Sequence, residues 1–389
     1  VVASFARRHP DWDIVISTST STGLDVARRT YPELVTFHAP LDFTWATRRA
    51  MARIRPRLLV LVELELWPNL IRAAKEVGAK VAIINGRLSA RSFRGYMWVQ
   101  GWLRSTLRRL DLVAAQNLEY GGRFLSLGVP EVRLKMTGSV KFDGLETNRA
   151  NSRTLSLRRT LGLKSSDVVF VAGSTMEGEE EAALAAFRSA RADHPGLRLI
   201  VVPRHPHRFD AVASMLEREG ERVRRRSRSE LAPLLQTTSD RAEVILVDTL
   251  GELSAVWGLA DVAFVGGSLF PGRGGQNMME PAAYGASVLF GPYTSNFRET
   301  VEQLLARNAA RRVSNAEELK TALRQDLDDP ETAAARGNAA RSFVLAQHGA
   351  AERTVVELER LQESTPNPPN LGSLGRPGNL SKQVQVSAS

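Results

Sequence analysis

The sequence predicts an α/β protein made of two doubly wound domains in tandem, and three observations carry that prediction. Short runs rich in Val, Ile and Leu alternate with longer stretches of helical periodicity along most of the chain. Those runs are continuously apolar, the pattern of parallel strands covered on both faces. The 389 residues also exceed what one ordinary domain holds, taking about 100–200 residues per domain as usual.

Val1 to Arg8 reads as the end of an amphipathic helix and Asp13 to Thr18 as the strand after it. The chain thus opens inside a βα unit, and residues upstream of Val1 are expected. Leu58–Val62 is a strand, a helix follows Trp67-Pro68, and Val81–Ile84 and Asp111–Ala115 are further strands. Between Leu145 and Ser156, Asn148, Asn151 and Ser152 occur without apolar periodicity, which reads as a linker and sets the first domain at residues 1–147. A second series fills 148–363, with strands at Val168–Ala172, Leu197–Val202, Val244–Val247, Val262–Val265 and Val288–Phe290. After Thr300 the pattern is mostly helical, and those helices suit packing on either half. Residues 364–389 are rich in Pro, Asn, Gly and Ser, with too few large apolar side chains to offset the entropy of ordering them, so a disordered tail is expected. No short repeat points to a solenoid.

A hydrophobic fraction of 43% with 24% charged residues excludes a wholly disordered chain. Cys is absent, which excludes disulfides, thiolate nucleophiles and Cys-ligated metal clusters and fits a reducing compartment. The net charge of +10 favours anionic partners: nucleic acid, phosphorylated ligands or acidic lipid. No apolar run reaches the roughly 18 residues of a membrane span and no signal peptide is evident, so a soluble or peripheral protein is expected.

The stretch from Phe264 to Ala282 is the most informative. A strand runs into a loop containing Gly266, Gly267, Gly272, Gly274 and Gly275, and a helix starts near Pro281, whose fixed φ suits a first helical position. Such loops bring backbone close to a ligand, and amides at a helix start attract phosphate or carboxylate. Gly267 and Ser268 are therefore candidate ligand contacts. Neither the dinucleotide fingerprint nor the P-loop fits, and a turn that merely joins strand to helix has the same composition. Glu280 favours a ligand, because a carboxylate beside an anion cradle suits ribose hydroxyls.

Pro203-Arg204-His205-Pro206-His207 leaves a strand at its C-terminal end, the edge where open α/β sheets bind ligands. Arg204 is the candidate partner for a phosphate or carboxylate. His205 and His207 flank a proline with no third metal ligand evident, so loop hydrogen bonding is preferred to metal. Ser174 and Glu177 have capping-box spacing, and four carboxylates at 177 and 179–181 would repel an anion unless they point away. Ser174 stays a candidate contact. Asp248 to Leu253 is another strand-to-helix turn, with Asp248 or Thr249 a possible cap.

In the first domain, Glu63 and Glu65 follow a strand that reads as buried, which implies pairing with an arginine or a role in chemistry. Lys141, near that domain's end, is placed to balance developing negative charge. The stretch from Arg87 to Trp102 mixes cations and aromatics, as either a surface for anionic lipid or nucleic acid or a helix with its aromatic side in the core would. Asp11-Trp12-Asp13 imitates a metal motif but precedes a strand, so it reads as chance.

Together these motifs resemble the 3-deoxy-D-manno-octulosonic acid (Kdo) transferases of lipopolysaccharide synthesis, glycosyltransferases of the GT-B fold with two Rossmann-like domains facing a cleft. The resemblance runs from Thr20-Ser21-Thr22-Gly23 through Glu63 to Asn69, Arg87 to Ser92 and Gly138 to Asp143 to the glycine-rich loop. It implies metal-free, cofactor-free transfer of Kdo from CMP-Kdo to a lipid A precursor at the cytoplasmic face of the bacterial inner membrane, by a peripheral enzyme on an anionic surface, with no nucleic-acid partner. By resemblance, Pro203 and Arg204, Leu250-Gly251-Glu252 and Asn277, Met278, Met279 and Glu280 hold CMP, while Glu65, Glu63 and Lys141 support the transition state.

The sequence also departs from the family. The family's catalytic base is a Glu in a Ser-Val-Gly-Glu segment behind an apolar anchor, and neither occurs here, so CMP binding with poor transfer is expected. Met176 and Gln276 stand where the family usually has His. A nucleotide-sugar epimerase or hydrolase of similar fold and a non-catalytic anion-binding protein are the alternatives, separated by UDP-sugar binding and by salt dependence without nucleotide preference. Oligomeric state is not encoded in any motif.

Overall fold

The computed structural model of the chain describes residues 1–228, 244–363 and 382–388. Two compact units emerge, one of Val1–Asp143 with Gln347–Ser389 and one of Gly144–Ala346. The first contains strands β1 (Trp12–Thr18), β2 (Val35–His38), β3 (Leu58–Val62), β4 (Lys80–Gly86), β5 (Leu112–Ala115) and β6 (Leu134–Met136). The second contains β7 (Val168–Thr175), β8 (Leu197–Pro203), β9 (Val223–Arg225), β10 (Val244–Leu246), β11 (Val262–Val265), β12 (Ser287–Phe290) and β13 (Arg311–Arg312). A last strand, β14 (Lys382–Ala388), returns to the first unit.

Both sheets have seven parallel strands, in the orders β2-β1-β14-β3-β4-β5-β6 and β13-β12-β11-β7-β8-β10-β9. In the second sheet β8 lies on one side of β7 and β11 on the other, so the winding reverses at β7. Ligands of open α/β sheets bind outside the carboxyl ends of strands at such a point. The central strands are buried nearly throughout, as their apolar runs require, and Phe170, Leu199, Val201 and Phe264 form that unit's core with helix Glu179–Ala190. The short strands β2, β6, β9 and β13 escape the sequence reading, because each has two to four residues and none that is fully buried.

Three boundaries need correction. The helix Ala350–Glu363, placed with the second domain by the 148–363 division, packs on the first unit: Val355 and Leu358 join Leu58, Val60, Ala82 and Leu112 in one core. The expected linker contains the helix Ser152–Thr160, capped by Asn151, whose side chain accepts from Thr154 N; the polar residues that suggested a linker include a helix start. The expected tail is ordered in part. Its segment Lys382–Ala388 pairs with β1 from Trp12 to Thr18 and with β3 from Leu58 to Leu61, so sheet hydrogen bonds on both edges enter a balance that composition alone omits. Residues 364–381 and 389 lie outside the described residues.

Candidate functional site

The carboxyl ends of β7, β8 and β11 gather the second unit's candidate residues. β7 ends on Gly173-Ser174-Thr175, and buried Ser174 has a φ of 54°, in the left-handed region that non-glycine residues rarely adopt. Pairing with β8 shifts register there, and Thr175 lies opposite Pro203. Arg204 N then donates to Thr175 O at 3.0 Å, which fixes Arg204 just beyond the strand.

The carboxylates after β7 turn inward. Glu179 is 1% exposed. Its Oε2 accepts from Gly267 N at 2.7 Å and Met176 N at 2.9 Å, and its Oε1 accepts from Ser268 N and Leu269 N, both at 2.9 Å. Glu180 is fully buried and takes both ends of the Arg208 guanidinium, at 2.6 and 3.1 Å, together with the Thr175 hydroxyl at 2.8 Å. Burial pushes the Glu180 pKa up against these opposing partners. Two expectations are corrected. The helix Glu179–Ala190 starts after Gly178 with no side-chain cap, so Ser174 and Glu177 form no capping box. The Gly267 and Ser268 amides are taken by Glu179, and Ser268 Oγ is occupied by Val265 O and Gly291 N, so neither residue offers these groups to an anion.

What remains open at this edge is cationic. Among the described residues the Arg204 side chain has no hydrogen-bonded or ion-paired partner, yet its charge reaches both Glu280 and His205. His205 and His207 stack with ring centroids 5.4 Å apart. Desolvation, then the charges of His207, Arg204, Arg273 and Arg208, hold the His205 pKa below its ordinary value. No group of three His, Asp or Glu side chains suited to a metal occurs among the described residues.

Glu280 lies in the helix Met279–Ala283, which starts two residues before Pro281 rather than at it. Asn277 Nδ2 donates to Glu280 Oε1 at 3.0 Å, and Asn277 Oδ1 accepts from Met279 N at 3.1 Å. Burial raises the Glu280 pKa, against the pull of Asn277, Arg204 and Trp257. Met278 and Met279 are buried in the core, so their side chains are not exposed to a ligand. Near β10, Leu250 is exposed, Gly251 has a φ of 82°, and Glu252 accepts from Arg226 Nη2 at 3.0 Å and from the Thr249 hydroxyl. Asp248 caps no helix. It binds Arg225 Nε at 2.7 Å and Ser227 N at 2.8 Å, and although burial alone would raise its pKa, Ser227 and Arg225 leave it lowered.

In the first unit, Glu63 follows β3 with a φ of 60°, held by its N–H donating to Ile84 O at 2.9 Å. Its carboxylate stands 3.5 Å from Lys141 Nζ, with both side chains about half exposed. Lys141 is carried there because Asn85 Oδ1 accepts from Val140 N at 3.2 Å, while Asp143 receives the amides of Gly349, Ala350 and Ala351 at the start of the last helix. Glu65 accepts from Trp67 Nε1 at 2.5 Å. Between Arg87 and Trp102 the two readings divide: Phe93 and Tyr96 pack on the core, while Trp98 and Trp102 are 91% and 66% exposed. Sequence reasoning missed Glu179, Arg273, Trp257 and Asn85, since no local spacing ties residue 179 to a loop 88 positions on.

Residues 1–144 match a family model described as 3-deoxy-D-manno-octulosonic-acid transferase (kdotransferase). The 3-deoxy-D-manno-octulosonic acid transferase of Haemophilus influenzae is 35% identical over 355 residues, which cover 91% of this chain and 81% of that protein. The crystal structure of the C-terminal CMP-Kdo binding domain of WaaA from Acinetobacter baumannii is 30% identical, covering 50% of this chain and 96% of that one with a TM-score of 0.45. A glycosyltransferase from Rickettsia africae shares the fold over 90% of this chain and 89% of its own at a TM-score of 0.54, with 13% identity.

Proposed function

The chain belongs to the Kdo transferases, glycosyltransferases of the GT-B fold, and from that premise we propose that it transfers Kdo from CMP-Kdo to a lipid A precursor during lipopolysaccharide core synthesis. The epimerase, hydrolase and non-catalytic readings have no comparable support. The observation that carries the donor assignment is that the Arg204 guanidinium, without a hydrogen-bonded or ion-paired partner among the described residues, lies within electrostatic reach of the Glu280 carboxylate at the switch point of the second sheet. A nucleoside monophosphate ester needs a cation for its phosphate and an acceptor for its ribose hydroxyls, and these two side chains supply one each.

In the reaction the anomeric carbon of Kdo exchanges its bond to the phosphate oxygen for a bond to the acceptor hydroxyl oxygen. CMP leaves with the electron pair, and the hydroxyl proton passes to a carboxylate general base, the role that the family gives to the Glu of its Ser-Val-Gly-Glu segment. Arg204 stabilises the charge that grows on the phosphate, and Glu63, Glu65 and Lys141 support the transition state. The ion pair of Glu63 and Lys141 leaves each side chain about half exposed.

Exposed Trp98, Trp102, Trp45 and Phe43, with Arg91 and Arg94 and a net charge of +10, suit peripheral attachment to anionic lipid at the cytoplasmic face of the inner membrane. No helix among the described residues is long and apolar enough to cross a membrane.

Calorimetry with CMP tests the donor assignment. Binding that weakens by about 10- to 100-fold in Arg204→Ala is expected, in line with a lost charge-assisted hydrogen bond. Binding of UDP in preference to CMP, or none of either, would overturn it. Co-sedimentation with phosphatidylglycerol vesicles, set against phosphatidylcholine alone, tests the surface. A Trp98→Ser, Trp102→Ser double variant that still sediments like the parent would remove the aromatic anchor.

A further inference from the structure

We propose that Glu179 is a positioning residue: its buried carboxylate sets the glycine-rich loop after β11 and, through that loop, the placement of Asn277 and Glu280. The functional consequence rests on the donor-binding reading above, while the clamp itself rests on geometry alone.

An ionised carboxylate accepts about four hydrogen bonds, two on each oxygen. Glu179 receives that number, all from backbone amides: Met176 and Gly267 on Oε2, Ser268 and Leu269 on Oε1. It has no cation partner among the described residues, so amide dipoles alone compensate its buried charge. A group so saturated has no capacity left for a ligand, and its effect is exerted on the two loops it joins.

The loop sequence fits this seat. A Cβ on Gly266 would lie 2.7 Å from Glu179 Oε2 and 2.6 Å from Ser174 O, so only glycine fits where the strained end of β7 meets the clamp. Gly267, with a φ of 66°, accepts from Gly275 N at 2.8 Å, which closes the loop back on the clamped residue. Two residues beyond Gly275 comes Asn277, whose side chain holds Glu280. A continuous set of hydrogen bonds and short chain segments therefore connects Glu179 to the carboxylate assigned to the ribose.

Glu179→Gln separates this role from bulk. One carboxylate oxygen becomes an NH2 group facing two N–H donors, so the loop must move although volume is conserved. The variant is compared with the parent and with Leu216→Ala, a cavity in the same core placed in the last turn of helix Phe209–Arg218. Three quantities are read on the folded protein: amide exchange over residues 266–278 without nucleotide, CMP affinity by calorimetry, and the KM and kcat for CMP-Kdo.

The expected result is at least tenfold faster exchange at Gly267, Ser268 and Leu269 in Glu179→Gln, tenfold or greater loss of CMP affinity, and a rise in KM that exceeds the fall in kcat. Leu216→Ala should lower Tm with loop exchange and affinity unchanged. Parent-like loop exchange in Glu179→Gln overturns the clamp, and so does an affinity loss of equal size in Leu216→Ala. Faster loop exchange with parent-like CMP affinity overturns the positioning role. If the parent itself binds no CMP, the donor reading fails, while the exchange data still decide whether Glu179 sets the loop.

Discussion

Glu63 follows β3 in one unit and Glu179 follows β7 in the other, and the two are handled in opposite ways. Glu179 is buried and filled by four amides, whereas Glu63 is half exposed with one ammonium 3.5 Å away. Its neighbour Glu180 extends the contrast, being buried on a bidentate arginine. At the carboxyl edge of the second sheet carboxylates build the loops; at that of the first, Glu63 stays half exposed. The same residue type at the same topological place is thus filled or left half open according to how many donors the fold brings to it.

The largest test of this contrast is stability. Glu180→Ala leaves the Arg208 guanidinium without its buried counter-charge, and unfolding free energy should fall by about 3–5 kcal/mol. Glu63→Ala should change it by no more than about 1 kcal/mol, since exposed pairs contribute little. Denaturant melts of both variants giving equal losses would erase the distinction. Activity should show the reverse order: Glu63→Ala and Lys141→Ala are expected to lower kcat about 10- to 100-fold at unchanged Tm.

Next in size is a pH effect at Glu280. Burial raises its pKa above 4.5, so ionising it opposes folding: its contribution to stability is present below the unfolded pKa and fades as pH rises through the folded one. Under the proposed ribose assignment CMP binding needs the ionised form, so affinity should fall as pH drops through the raised pKa. Glu280→Gln should bind weakly with a flat profile, and calorimetry between pH 4 and 8 that showed the parent equally flat would refute the ribose assignment.

The smallest effect belongs to an exposed acid of the first unit. Hydrogen bonds from Arg48 and then Arg72 lower the Glu76 pKa from 4.5 to about 2. Its stabilising contribution is present above the unfolded pKa and lost as pH falls from about 4.5 to about 2. Arg48→Gln should move its NMR titration back toward ordinary values, and added salt should do the same in the parent.

Much of this was legible in the amino acids. Continuous apolar runs gave the central strands, and the strand-to-loop transitions marked Arg204, Ser174 and Glu280 as edge residues. Edge strands of two to four residues left no period to read, and the polar residues around Asn151 looked like a linker because a cap and a linker share a composition. The Gly267 and Ser268 amides were expected to meet an anion, because a glycine-rich loop before a helix announces free N–H groups without saying whether a distant side chain fills them.

Sequence by itself determined the two α/β series, the loops at the carboxyl edge of each sheet and the residue types available there, since periodicity and turn chemistry are local. Only tertiary structure decided which carboxylates are buried, which amides are taken and which guanidinium groups lack a partner among the described residues. Those outcomes depend on groups as far apart as residues 179 and 267 meeting in space, where desolvation and hydrogen bonding act on distance rather than on sequence separation.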